Sequence, residues 1–514
     1  MGKLQLGWAI KDISSKEPVN IVGQFHMRIS QGIADPLYAT ALVVDDGSDC
    51  AIFLSIDTVI MRCGLLDEIR SAVKAKQPEI PVEKILANAT HTHEAPCHYY
   101  AEANAPDGSE HIQADVPHPG IEIASSDDYR HFLADQASDA VCEAWNTRCC
   151  GGIAYGYGFA VVAHSRRVVY FDDVSLREGA VKNSTHGVNG HAVMYGQTND
   201  DMFSHYEAGA DHFLNVMFTF DMEGKLTGAI VNIPCPSQNS ENSHKQSADY
   251  WGDIRSALKE RYGDIYILPQ CAAAGDLSPR ILHYRKAQSR RFRLKYGCQE
   301  ELDIPGLGAE SELCARRDIA QRVAIGFDEV YDWAKKEIFF DLPVHHDVRT
   351  LQLPRRLITE QEYEEDRMGY EEQKNKEYLT EGDPEEILFY NSCLHSARER
   401  HRAIINRYEI QKTQPTVPME LHTIRIGNIA FASNRFELYM DYQHRIQARS
   451  PFEQTFVVQL TGQPGDEGGT YLCTERGKEG RGYSASRYCN VVDAHGGQVL
   501  VEGTLEALKK LAQM

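Results

Sequence analysis

Apolar positions along the chain follow two rhythms. Ala51 to Met61 and Ile85 to Ala89 are nearly continuous apolar runs rich in β-branched residues, the pattern of strands buried on both faces. Between them Leu65, Leu66, Ile69 and Val73 recur at helical spacing, and Pro81 separates that helix from the second run. Together they predict a β-α-β unit. Ser126 to Trp145 reads as a capped helix with Phe132, Leu133, Ala137, Val141 and Ala144 on one face, followed by a glycine-rich strand-like stretch from Gly151 to Ala163. Phe213 to Phe220 and Gly228 to Ile233 predict a hairpin closed by Glu223-Gly224-Lys225; Ile254, Leu258 and Tyr262 mark another helix, and Ile265 to Leu268 a buried strand.

Further along, 340–417 is rich in Glu, Arg, Lys and Tyr, with helical runs from Thr359 to Tyr378 and from Glu385 to Tyr408. It is expected to be a helical insertion over one edge of the core, its charge lying on solvated faces. Pro415 and Pro418 end it, a strand from Ile424 to Phe431 returns to the core, and Thr504 to Leu511 closes the chain as a short helix. Glycine-rich stretches at 462–469 and 477–482 predict mobile loops over a site. The fold class expected is α/β, a mixed sheet core flanked by helices, forming one domain over 1–514 with the helical insertion inside it.

Composition narrows the function. The net charge of −21 and the lack of a basic run argue against nucleic acid or an anionic membrane surface as a partner. No run approaches the ~18 apolar residues of a membrane span, and no basic leader with an apolar core opens the sequence, so a cytoplasmic location is the expectation. Thirteen cysteines without paired spacing read as reduced thiols, Cys149 and Cys150 included. No repeat or low-complexity segment stands out. A small-molecule substrate remains, with a homo-oligomer left open.

Candidate chemistry clusters at strand ends. His91-Thr92-His93 follows the Ile85 to Ala89 run, at the carboxyl end of a β-α-β strand where open α/β sheets bind ligands. If extension persists through Thr92, both imidazoles project to one side and either share a divalent metal or divide metal binding and proton handling between them. The alternative is two unrelated surface histidines. Arg166-Arg167 follows a strand and would orient a carboxylate or polar substrate, although such a pair is more often solvated. His186, His191, His205 and His212 lie in a polar segment where histidines are usually exposed. Gly275-Asp276-Leu277-Ser278-Pro279 presents a serine at another strand end; alone, it is equally an ordinary turn.

Leu37 to Val44, Ala87 to Pro96, Ser247-Ala248-Asp249-Tyr250-Trp251-Gly252 and Gly275 to Pro279 occur in the order and approximate spacing of the neutral/alkaline (non-lysosomal) ceramidases and their bacterial relatives. The resemblance extends weakly to Ile426 to Ala432 with Arg435-Phe436-Glu437. It implies a zinc-dependent amide hydrolase using water activated on the metal. It places His91 as a zinc ligand, His93 beside the catalytic centre and Ser278 as the active-site serine. Glu437 and Tyr471 fall on the Glu and Tyr ligands, Tyr483 on a further site tyrosine, and Arg166 on the substrate-side arginine. One ligand departs: a second zinc histidine is expected after the Gly228 to Ile233 strand, where the chain reads Pro234-Cys235-Pro236-Ser237-Gln238. Cys235 as thiolate, Gln238 as a weak oxygen donor and His244 are the candidate replacements. The chain also ends soon after the site tyrosines, leaving no room for the C-terminal β-sandwich of secreted ceramidases, which makes a membrane sphingolipid a doubtful substrate.

The expectation is therefore a hydrolase dependent on zinc or another divalent metal, acting on a small polar substrate, amide bond favoured. A carbohydrate-acting enzyme on the same scaffold is one alternative, in its metal-free form using Asp276 and Glu437 as an acid-base pair. A non-catalytic binding protein that has lost a metal ligand is the other.

Overall fold

Alternation along the first strand decides which layer lies on which side of the sheet. The computed structural model describes residues 3–99, 115–300, 309–465 and 471–514. In strand β1 (Gln5–Asp12), Trp8 faces one apolar cluster and Ala9 the other. Seven more strands complete this sheet: β2 (Tyr38–Asp45), β3 (Cys50–Ile56), β4 (Ile85–Ala89), β5 (Cys149–Phe159), β6 (Phe213–Asp221), β7 (Leu226–Ile233) and β8 (Tyr266–Cys271). The order across it is β8-β7-β6-β5-β1-β2-β3-β4. The two outer pairs, β3 with β4 and β7 with β8, are parallel, and the pairs between them antiparallel.

Each parallel pair is joined by the crossover helix its apolar spacing predicts: α1 (Leu65–Lys76) and, after an intervening helix α2 (Ser126–Asn146), α3 (Tyr250–Tyr262). Helix α2 packs on β1 and β2, and α4 (Ala309–Ala334) on β5 and β6, covering one face of the sheet. The other face meets a second sheet, where Phe53 lies 4.8 Å from Phe431, itself stacked on Phe456 at 4.5 Å. That sheet has the order β9 (Val344–Pro354), β10 (Thr416–Ile426), β11 (Ile429–Ser433) and β12 (Gln454–Val458). The result is an α/β fold with a mixed sheet core between helices, as expected.

Within 340–417, where helical runs are expected, the first part is strand β9. It pairs antiparallel with β10 along its whole length, Val344 opposite Ile426 and Pro354 opposite Thr416. Val344-His345-His346-Asp347-Val348 alternates inside and out, but with His346 as a buried member, so the run looks polar in sequence; His346 is accommodated by His422 of β10 at 2.9 Å. The helical part is α5 (Glu360–Gln373), which starts on a Thr359–Glu362 capping box, and α6 (Pro384–Ile410), which starts on Asp383 with Pro384 in the first turn. The expected strand from Ile424 to Phe431 is a hairpin turning at Gly427 (φ +59°). After α7 (Met440–Gln447), the closing helix α8 (Ala494–Leu511) begins ten residues earlier than its apolar pattern announced and covers the outer face of the second sheet. The glycine-rich run expected at 462–469 lies, from 466 on, outside the described residues. No disulfide joins the described cysteines, and no described helix is long and apolar enough to cross a membrane.

The inter-sheet contact carries a direct test. Phe431→Ala is expected to lower unfolding free energy by about 3–5 kcal/mol in urea titrations, because no backbone movement refills the space between two sheets. Phe171→Ala, at a 71 % exposed position, should stay within about 0.5 kcal/mol of the parent.

Candidate active site

Carboxyl ends of strands from both sheets meet around one cavity of about 600 Å³. His91 and His93 follow β4, Gln238 and Glu241 follow β7, and Glu437 follows β11. The two histidines meet, but not by strand alternation. The ladder stops at Ala89, and His91 takes a left-handed backbone conformation (φ +68°) fixed by its amide donating to Thr58 O at 2.9 Å. The rings stand edge to face with Nε2 atoms 3.3 Å apart. His91 Nδ1 donates to Val59 O at 2.6 Å, which leaves its Nε2 as the lone-pair nitrogen facing the cavity. Burial, the largest influence, lowers the His91 pKa to about 4 against the pull of Glu437, so the ring is neutral at pH 7. Gly23 (φ +110°) makes the approach to His93 possible: a Cβ there would lie 2.5 Å from His93 Cβ.

Glu437 and Tyr471 are placed together by the backbone. Glu437–Leu438 and Tyr471–Leu472 form a short parallel ladder with Glu437 opposite Tyr471, so their side chains project side by side. The Glu437 carboxylate lies 3.5 Å from His91 Nε2. Gly275 gives this ladder its room, since a Cβ at that position would be 2.2 Å from Glu437 O. This is the physical content of the Gly-Asp-x-Ser-Pro motif.

Arg166 is almost completely buried and spans these groups: Nη2 donates to Gly275 O at 2.9 Å and to Tyr471 Oη at 3.0 Å, and sits 3.5 Å from Glu437. Burial opposes its charge, but Tyr471, Tyr195 and Glu437 outweigh it and hold the guanidinium charged. Arg167 is also buried rather than solvated, paired with Glu207 at 2.8 Å, and takes no part in the cavity. Burial also pushes Tyr471 well above the usual phenol range, so it is protonated in this state.

Ser278 is placed differently from expectation. It is fully buried behind Tyr195, whose hydroxyl donates to its Oγ at 3.4 Å, while Arg280 N donates to the same oxygen at 3.2 Å. It supports Tyr195, and Tyr195 lines the cavity. Tyr483 also lines it, edge-on to Tyr471 at 5.7 Å. Of the four histidines in the polar segment, His186 is on the cavity wall, while His191 and His205 are exposed.

The three candidates for the missing ligand separate cleanly. Cys235 is fully buried off the cavity wall, with its thiol 3.5 Å from Pro236 O and its pKa raised far above normal by burial. His244 turns its Nδ1 to Ile29 O at 3.2 Å, also off the wall. Gln238 is on the wall: its Nε2 donates to Tyr195 Oη, and its buried Oε1 has no hydrogen-bond partner among the described residues. Ser237 donates instead to Thr90 O at 2.8 Å, bracing the turn that carries His91. The Asp276 carboxylate accepts from Met440 N at 3.0 Å at the start of α7, away from the cavity wall, so it forms no acid-base pair with Glu437 there.

Glu241 and Tyr195 are among the cavity residues that the sequence reading does not single out. Glu241 stands 3.4 Å from His93 Nδ1 and 2.8 Å from Arg280; Arg280 and His93 outweigh burial and hold its pKa down to about 2. Its signal was proximity to Gln238 in one polar loop. Tyr195 (φ +55°) sat in a segment noticed for its histidines.

Among the described residues, no group of three or more His, Cys, Asp and Glu side chains is arranged to hold a metal ion. His91 Nε2 lies 3.5 Å from the Glu437 carboxylate, and Tyr471 stands opposite Glu437 on the cavity wall; these three side chains are the ones that would hold a metal ion with one position left open. The Val59 carbonyl on Nδ1 is the outer partner a ligating histidine needs.

The architecture is that of the neutral ceramidases. The chain superposes on the crystal structure of neutral ceramidase from Pseudomonas aeruginosa with TM-score 0.64 at 16% identity, covering 99% of this chain and 75% of that one. It also matches a structure described as ceramidase complexed with C2, with TM-score 0.63 at 15% identity, covering 100% and 76%. No protein-family model matches the sequence, and comparison with curated proteins gives no match.

Gly23→Ala is expected to destabilise the protein by more than ~1 kcal/mol and to shift the His93 ring resonances in NMR spectra, since both φ and the 2.5 Å contact forbid it. Gly209→Ala, with open space around its Cβ position, should change neither.

Proposed function

We propose that this protein is a metal-dependent hydrolase of a small polar substrate, amide bond favoured, with zinc as the metal. The observation that carries the proposal is the convergence of His91, Glu437 and Tyr471, from three distant chain segments, with His91 held neutral and its Nε2 turned inward. The neutral ceramidases, whose fold this chain shares and whose motifs it resembles, are amide hydrolases, which supports amide over other bonds.

His91, Glu437 and Tyr471 would hold the ion, and Gln238 offers an amide oxygen on the same cavity wall. The chemistry such an ion supplies is acidification of water to a nucleophile near neutral pH. The rest falls to the chain. His93, whose Nε2 lies 3.3 Å from His91 Nε2 and whose Nδ1 lies 3.4 Å from the Glu241 carboxylate, would carry a proton from water to the leaving nitrogen once His91 Nε2 is engaged by the ion. Glu241, fixed by Arg280, stabilises the imidazolium formed in between. Arg166 would present its guanidinium charge to the oxyanion that develops on the acyl carbon, while Tyr195, its hydroxyl proton directed to Ser278 Oγ, shapes the neighbouring wall. Burial of Arg166 strengthens that interaction, because water does not compete for the same donors.

Protein purified without a metal-affinity tag is expected to carry near-stoichiometric zinc by elemental analysis and to release acetate from N-acetylated small molecules. His91→Ala should lose both metal and turnover. His93→Ala should keep the metal and lose turnover about 10²–10⁴-fold, the usual contribution of a positioned acid-base group. Wild-type protein that hydrolyses amides equally well after chelation and dialysis would refute metal dependence.

A further inference from the structure

The cavity has two unlike halves. Charged groups crowd the end around Glu437, whereas the mouth is aromatic. Phe25 stands perpendicular to both His186 and Tyr483, with centroid separations of 4.6 Å and 5.3 Å. It is 39 % exposed, so one face of a large apolar ring is left open on the wall of a site. Such exposure of apolar surface beside polar groups is a recognition feature. The position is fixed from behind by Arg400 of α6, which is fully buried, lies 5.6 Å from the centroids of both Phe25 and Tyr483, and donates to Thr185 O. The helical insertion thus reaches the site through this side chain. Burial, then Arg400, lowers the His186 pKa to about 4, so the third ring is neutral and adds no charge to the mouth.

The cavity wall mixes aliphatic side chains, Val59, Ile60, Val181 and Met194, with the planar polar groups of Gln24, Arg62 and Asn189. It is thus not the uninterrupted apolar channel that would serve a long acyl chain best. A flat aromatic face beside amide and guanidinium groups matches a different ligand: a pyranose ring, with C–H bonds on one face for stacking and hydroxyls around its edge for in-plane hydrogen bonds. Tyr483 stands edge-on to Tyr471 at 5.7 Å, and Tyr471 is opposite Glu437, which joins the aromatic cluster to the charged groups of the same cavity.

We propose that the exposed ring of Phe25, with Tyr483 standing perpendicular at its edge, forms a stacking subsite for the sugar ring of the substrate, with Arg400 as the positioning residue, and that the substrate class is an N-acylated amino sugar. This rests on the hydrolase reading above and specifies its substrate. Hydrolysis would break the acyl C–N bond, add the water oxygen to the acyl carbon to give a carboxylate, and place both water protons on the released amine as its ammonium.

Saturation-transfer NMR on the full chain as purified, with N-acetylglucosamine, C2-ceramide and N-acetylalanine as probes, tests the subsite without relying on turnover. The expected result is selective saturation of the pyranose ring protons. Affinity should fall about tenfold in Phe25→Ala and in Tyr483→Ala, and recover in Phe25→Trp, consistent with the strength of an aromatic contact. Arg400→Met should weaken binding several-fold while leaving the melting temperature of the folded protein close to the parent. Absence of sugar binding at millimolar concentration, binding that survives Phe25→Ala, or C2-ceramide binding that depends on the same two rings would each overturn the proposal. Sugar binding with these dependences but no amide turnover would instead sink the hydrolase reading and leave the subsite standing.

Discussion

A guanidinium removed from water is tolerated only when its surroundings answer its charge, and Arg166 is the point at which this chain meets that demand. Its partners come from three places that are far apart in sequence: the Gly275 carbonyl after β8, the Glu437 carboxylate after β11 and the Tyr471 hydroxyl near the C-terminal end. Removing any one would leave a buried charge poorly compensated, a cost of several kcal/mol. The contact therefore ties the carboxyl ends of the two sheets to each other as firmly as the Phe53–Phe431 packing ties their faces. The cavity exists because these two constraints act on adjacent parts of the sandwich.

That arrangement also explains why the site is electrically quiet despite its charged lining. Glu437 is answered by Arg166, Glu241 by Arg280, and His91 is neutral. Each acid has its own cation, and each cation is held by backbone carbonyls or tyrosines as well. A bound ion enters a site where Glu437 and Glu241 already face Arg166 and Arg280, so its affinity depends on how far its ligands offset the added positive charge beside Arg166.

How much of this the sequence disclosed follows from which periodicities survive burial. The β3-α1-β4 unit, the β6–β7 hairpin and helices α2 and α3 were legible because their apolar residues recur at one clear period. Strand β9 was not, because its inward side includes His346, and a histidine satisfied by another histidine looks polar until its partner is known. The His91 and His93 rings do meet, but through a left-handed turn, not the continued strand that alternation implies. Glu437, Tyr471 and Arg166 were reached through resemblance to a family, and their adjacency depends on a two-residue ladder no pattern reveals. Glu241 and Tyr195 carry ordinary side chains in irregular segments, where only the folded contacts distinguish them from solvated neighbours. Ser278 shows the converse, a conspicuous motif residue whose hydroxyl acts through Tyr195.

The central claim is that His91, Glu437 and Tyr471 share one ion. Anomalous diffraction collected on both sides of the zinc absorption edge, from crystals equilibrated with zinc, measures this most directly. The account predicts a single strong peak at about 2.0–2.2 Å from His91 Nε2 and from oxygens of Glu437 and Tyr471. No peak there, with Arg166 still bonded to Tyr471 and Glu437 and zinc bound elsewhere or nowhere, would contradict it.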